Sequence, residues 1–248
     1  MFDTTQIVVT ALALLFGSVV LGTVGFGIGL TASPILLFVH EPQTVVVILN
    51  TASVFLLTLV VFQSRRQLPI RELGPIAIAG AFGVPVGVFM LTSLSDTVLR
   101  AGIAGLILLM AVAVARDIRL PQTAPHVVGP AVGFVVGALV TGLAIGGPLV
   151  VLLLMGRGFP GTVVRESTAF YYLVIAVVAV IAYALTGLFT TERMAVILMV
   201  SPVMLLGFGV ASLIVRRLNE ERFRRGVLAL IVVTSVAVLG TELLDLQG

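Results

Sequence analysis

The 248-residue chain has no cysteine, no tryptophan and no lysine; all 14 of its basic residues are arginine. Without cysteine, disulfide frameworks, thiolate metal sites and cysteine nucleophiles are excluded. The two histidines, His40 and His126, lie far apart, which argues against a metal centre. Charge is scarce as well: 10% of residues are charged, against about 25% in an ordinary soluble domain. No phosphate-binding glycine loop and no nucleophile elbow occur. The expectation is a protein that is not an enzyme and needs no cofactor or metal. What is abundant is apolar surface, with 59% hydrophobic residues and a mean hydropathy of +1.25. A soluble fold of this size would leave much of it exposed. The net charge of +3 does not point to nucleic acid, because the arginines fill short gaps between apolar runs, the pattern of membrane loops. The N-terminal MFDTTQ has no positive stretch, so no removable signal peptide is expected.

A membrane-crossing helix needs about 20 apolar residues. The runs 42–62, 73–93, 97–115, 166–187, 194–214 and 226–244 each suit one crossing. Two stretches, 5–39 and 127–156, are too long for one helix and carry glycine clusters followed by proline: Gly22 to Pro34, and Gly137 to Pro148. Glycine disfavours helix by about 1 kcal/mol and proline by about 3, so each stretch either bends or breaks. The arginines favour breaking. Single crossings would divide the 14 arginines nearly evenly between the two sides. Hairpins that return to their starting side leave only Arg100 and Arg193 on one side and all the others opposite. The positive-inside rule selects the second arrangement and makes the rich side cytoplasmic. Loops 63–72, 116–126, 157–165 and 215–225 then face the cytoplasm, and both termini face out.

The chain also resembles itself. Pro34 aligns with Pro148, Asn50-Thr51-Ala52-Ser53 with Glu166-Ser167-Thr168-Ala169, and Pro85 with Pro202. Residues 99–114 resemble 223–238. The predicted fold is an all-α polytopic membrane protein of two repeats, 1–119 and 120–248, each a broken hairpin followed by three crossings. Three is odd, so the second copy is inverted. Inverted repeats whose broken helices meet at mid-membrane are a transporter architecture. Close helix packing through small residues is the competing explanation of the glycines.

A half-helix that begins at a break aims unpaired N–H groups and a partial positive charge into the cavity. Two such ends, near Ser33-Pro34 and Gly147-Pro148, would form an anion site made largely of backbone. Gly27, Gly29, Gly146 and Gly147 allow close approach, Pro34 and Pro148 suit a first helical turn, and Thr31, Ser33 and Thr141 offer hydroxyls. On the crossings after the breaks, Asn50 and Ser53 share one helix face, as do Arg165 and Thr168. Arg165 fits a bidentate grip on a sulfonate or carboxylate, or else an anchor at the membrane edge or a pair with Glu166. Tyr171 and Tyr172 are packing or interface residues, or at least one of them donates a hydrogen bond to the ligand. Pro85 and Pro202 are kink positions suited to hinges. Gly83 and Gly87 have the spacing for a helix contact, which would serve a homodimer.

The glycine-rich break before Pro34 and the segment GALVTGLAIGGPLVVLLL resemble the sulfite exporter TauE/SafE family, in order, spacing and duplication over nearly the whole chain. The resemblance implies a bacterial inner-membrane transporter of sulfite, thiosulfate or a small organosulfonate such as sulfoacetate. It also implies that the 25–34 and 142–148 stretches line the substrate. Export by alternating access, coupled to a proton or cation, is the expectation; a passive anion channel, or uptake of the same anions, is the alternative. The expected partners are the anion and the lipid bilayer, with no nucleic acid.

Overall fold

A computed structural model describes residues 3–63, 68–115 and 125–215. Within them the chain is helical: α1 (Thr4–Val24), α2 (Ile28–Leu36), α3 (Pro42–Gln63), α4 (Ile70–Ser93), α5 (Asp96–Ala115), α6 (Pro125–Leu143), α7 (Gly147–Gly156), α8 (Gly161–Leu185) and α9 (Thr191–Val215). Six of these are long and apolar enough to cross a membrane. The crossing expected at 226–244, and Arg65, Arg66, Arg116, Arg119 and the 216–225 cluster, lie outside the described residues.

Both over-long stretches break into a long and a short arm. Gly25 (φ 86°) and Gly27 (φ 98°) are left-handed; the first closes α1 through its N–H to the Leu21 carbonyl (2.8 Å) and the second starts α2. L-residues with a Cβ resist this conformation, which is why glycines stand here. The second break turns at Ala144 (φ 57°), the one non-glycine residue with positive φ among the described residues. The half-helix start expected near Ser33-Pro34 is therefore corrected. The left-handed glycines end α1 earlier, and Pro34 lies inside α2.

The short arms of 9 and 10 residues extend about 14–15 Å, half of a hydrocarbon core of about 30 Å. Each comes back to where its long arm began. Gln6 Nε2 donates to the Val39 carbonyl (2.9 Å), and Thr10 Oγ1 lies 2.7 Å from His40 Nε2. At the other hairpin, Arg157 Nη2 lies 2.7 Å from where a Cβ on Gly129 would stand.

The halves interleave. The most extensive helix contact is α4 against α6, and the next is α1 against α9, so the fourth helix of each half lies on the hairpin of the other. Glycine makes the first contact possible. A Cβ on Gly83 would collide with the Phe134 carbonyl, one on Gly87 with the Ala138 carbonyl, and one on Gly137 with the Gly80 carbonyl. Gly83 and Gly87 therefore face α6 of the same chain, not a second copy. α3 and α8 pack together in the middle. Large apolar side chains point outward, including Val8, Leu12 and Phe16 on α1 and Phe82 and Phe89 on α4, as a lipid-facing surface requires.

Three of the described arginines separate by end. Arg100 donates to the carbonyls of Leu37 (2.5 Å) and His40 (3.2 Å). Arg193 donates to Thr44 Oγ1 (3.0 Å) and Gln43 Oε1 (3.0 Å). Both therefore gather around residues 37–44, where α3 starts. Arg157 meets Glu72 (3.6 Å) beyond the far end of α3.

Candidate functional site

The two breaks face each other. A Cβ on Gly29 would collide with the Ala144 carbonyl, and one on Gly147 with the ring of Phe26. Glycine at both positions lets backbone meet backbone and ring at the crossing point. Beside it lies a cavity with about 40 Å³ open to water-sized groups, where one water needs roughly 10–15 Å³ on that measure. Its walls are the breaks themselves, from Phe26 to Leu30 and from Ala144 to Gly147, closed by Asn50 and Ser53 of α3 and Tyr172 of α8.

No side chain caps α2, and its first intrahelical bond is Thr31 N–H to Gly27 O (3.1 Å). The amides of Ile28, Gly29 and Leu30 therefore have no acceptor within their own helix. α7 also has no side-chain cap, and Pro148 removes one N–H from its first turn. Leu149 N–H is already bonded to Gly146 O (3.3 Å). Each helix start brings about half a unit of positive charge.

The opposite poles, the carbonyl ends of the long arms, are closed by side chains, with Arg165 and Asn50 each reaching across from the other half. Arg165 donates from Nη2 to Gly22 O (2.6 Å) and from Nε to Thr23 O (3.0 Å) at the end of α1. At the end of α6, Asn50 Nδ2 donates to Val140 O (3.0 Å), and the Tyr183 hydroxyl donates to Thr141 O and accepts from Asn50 (3.1 Å). These bonds satisfy carbonyls that a broken helix leaves open at a depth where water does not reach them.

Of the residues expected to bind substrate, Gly27, Gly29, Asn50, Ser53, Gly146 and Gly147 line the cavity. Thr31, Ser33, Pro34, Thr141, Pro148, Arg165, Thr168 and Tyr171 do not. Thr31 returns its hydroxyl to Gly27 O (2.9 Å), while the hydroxyls of Ser33, Thr141 and Thr168 are buried without a hydrogen-bond partner. Arg165 lies inside α8, which begins five residues earlier than the expected span. It is 7% exposed, and its guanidinium holds α1. A lone charge reads as a loop in a sequence; two waiting carbonyls let this one be buried.

The two tyrosines carried the same two readings, and the structure separates them. Tyr171 donates to Gly133 O (2.7 Å) and packs on Gly80, so it is a packing residue. Its neighbour Tyr172 lines the cavity, is 6% exposed and has no partner for its hydroxyl. The two rings meet edge to face with centroids 5.1 Å apart. Phe26, inside the 25–34 stretch that the resemblance pointed to, lines the cavity as well.

No curated protein and no solved structure shows significant similarity to the chain. The family described as "Sulfite exporter TauE/SafE" matches residues 9–238. With that match over nearly its whole length and six helices fit to cross a bilayer, the chain belongs to the sulfite exporter TauE/SafE family and is a multi-pass membrane protein of a transporter family.

Proposed function

We propose that the protein is a secondary transporter, working as an exporter, for a small sulfur-containing anion such as sulfite, thiosulfate or an organosulfonate. The anion binds at mid-membrane between the starts of α2 and α7. The observation that carries this reading is the Tyr172 hydroxyl, buried and unpartnered in a cavity bounded by two uncapped helix starts. Amide N–H groups and a phenol are the donors an oxyanion needs, and the buried setting strengthens them.

Two inverted halves, 1–119 and 120–248, alternate access to the site, with Pro85 and Pro202 as hinges. The reciprocal packing of α4 on α6 and of α9 on α1 supports such a pairing. The end holding Arg157 and Glu72 faces the cytoplasm of a bacterial inner membrane, and the end holding Arg100 and Arg193 faces out, in line with the arginine distribution. Export is then aided by the membrane potential, by about 2.3 kcal/mol per charge per 100 mV. A proton or cation is the coupling ion of this export.

The test is flux in proteoliposomes loaded with sulfite, alongside thermal unfolding of the purified protein with sulfur anions. A ligand at about 100 times its Kd stabilises by roughly 2.7 kcal/mol. Saturable flux with stabilisation, both weakened in Tyr172→Phe, is expected. Single-channel currents would replace the transporter with a passive pore, and the absence of any anion response would remove the site.

A further inference from the structure

The charge of the ligand follows from the same cavity, and the argument rests on the transport site proposed above. Among the described residues its lining holds no arginine, histidine or carboxylate; Tyr172 is its only titratable group. The helices around it carry few others: His126 on α6, and Arg165, Glu166, Tyr171 and Tyr183 on α8, none of them in the lining. Arg165 is the nearest candidate for a counter-charge, yet its guanidinium is bonded to Gly22 O and Thr23 O, the negative pole of α1. Tyr171 and Tyr183 donate to Gly133 O and Thr141 O.

The positive potential therefore comes from two helix starts of about half a unit each and one hydroxyl dipole. Attraction to fixed dipoles grows in proportion to the charge of the ligand. The cost of stripping its water grows with the square of that charge. A site worth about one positive charge balances one negative charge, and for a second the desolvation cost wins.

We infer that the site takes its sulfur oxyanion as a monoanion: hydrogen sulfite, not the sulfite dianion, or a sulfonate without a second acid group. The apolar walls, Phe26, Ile28, Leu49 and Ile145 among them, suit the uncharged remainder of such a ligand. The substrate class proposed above is thereby narrowed, because thiosulfate and sulfoacetate are doubly charged at neutral pH and fall outside it.

The experiment is calorimetric titration of the full chain in detergent with methanesulfonate, sulfate and sulfite, repeated across the second ionisation of sulfurous acid. Methanesulfonate is a monoanion throughout and reports any titration of the protein itself. The expected result has three parts. Methanesulfonate binds with a flat pH profile, sulfate does not compete with it, and sulfite loses about tenfold in affinity per pH unit above its second ionisation. Binding of sulfate as tight as that of methanesulfonate, or sulfite affinity that rises with pH, overturns the monoanion inference while leaving the transport site standing. Binding of none of the three removes the transport site as well. In Tyr172→Phe the affinity for methanesulfonate should drop; unchanged affinity would locate the monoanion elsewhere and overturn the inference.

Discussion

The two broken helices solve one problem with different chemistry. At the first break the chain turns on Gly25 and Gly27, and the exposed carbonyls of α1 receive a charged guanidinium from Arg165. At the second it turns on Ala144, and the carbonyls of α6 receive a neutral amide and a phenol from Asn50 and Tyr183. On the amide side the first break again offers more: three N–H groups at the start of α2 have no acceptor in their own helix, while α7 gives up one to Pro148 and has another already bonded. The first break thus carries the stronger closure behind it and the richer donor set in front. Two segments of similar sequence and shape need not be equal partners to a ligand, and the anion should lean towards α2.

The largest effect should come from the point where the breaks touch. Gly29→Leu drives a side chain into the Ala144 carbonyl and should lose more than about 4 kcal/mol, the range of severe core lesions, read as loss of a monodisperse peak in detergent. Gly147→Ala meets the Phe26 ring first and should be milder, with partial recovery of thermal stability in Gly147→Ala/Phe26→Leu. Equal damage from both single variants would undo the distinction between backbone and ring contact.

The closures come next. Arg165→Met should cost about 1.5–3 kcal/mol, the worth of hydrogen bonds to a charged group. Asn50→Leu should cost about 0.6–1.7, the span measured for polar contacts between membrane helices. Unfolding of the two variants in denaturing detergent ranks them, and a reversed order would contradict the account of a stronger first closure.

The adjacent tyrosines separate packing from binding. Tyr171→Phe deletes a hydrogen bond to Gly133 O and should lower stability by about 1 kcal/mol with anion affinity intact. Tyr172→Phe deletes an unpartnered hydroxyl and should leave stability unchanged, with affinity about tenfold weaker, equivalent to roughly 1.4 kcal/mol. Titration and thermal unfolding of the same preparations decide whether the roles are as assigned.

The smallest effect is expected at His40, where the two arms of the first hairpin come back together. Burial pushes the His40 imidazole below its ordinary value, so folding favours its neutral form. Stability is full above the unfolded value of about 6.5 and declines as the pH falls through it towards the folded one. Thermal unfolding followed down that range should steepen for the wild type and flatten in His40→Gln, and a flat wild-type profile would rule the histidine out.

The composition, with little charge and no cysteine, made the membrane legible, since apolar length is a property of the chain alone. Helix boundaries were legible to within a few residues wherever charges bracket a run, as at 42–62 and 194–214. The need for breaks near Gly25 and Gly146 was legible too, because glycine and proline act through local backbone preference. Four cavity residues, Gly27, Gly29, Gly146 and Gly147, came from that local signal, and two more, Asn50 and Ser53, from the spacing of polar residues on one helix face.

Pro34, Arg165 and the tyrosines were not legible. Nothing local says that Gly27 outranks Pro34 as a helix start; the approach of Gly29 to Ala144 does. Nothing in Tyr171-Tyr172 says which ring finds a carbonyl. That is decided by the close packing of α4 on α6, which brings Gly133 within reach of one hydroxyl and leaves the other facing the cavity. By itself the sequence determined that this protein lives in a bilayer as helices interrupted at two glycine-rich points. Only the tertiary structure decided which polar groups close the backbone and which stay open for a ligand. A hydrogen bond between residues more than a hundred positions apart depends on how helices pack, and no local preference encodes it.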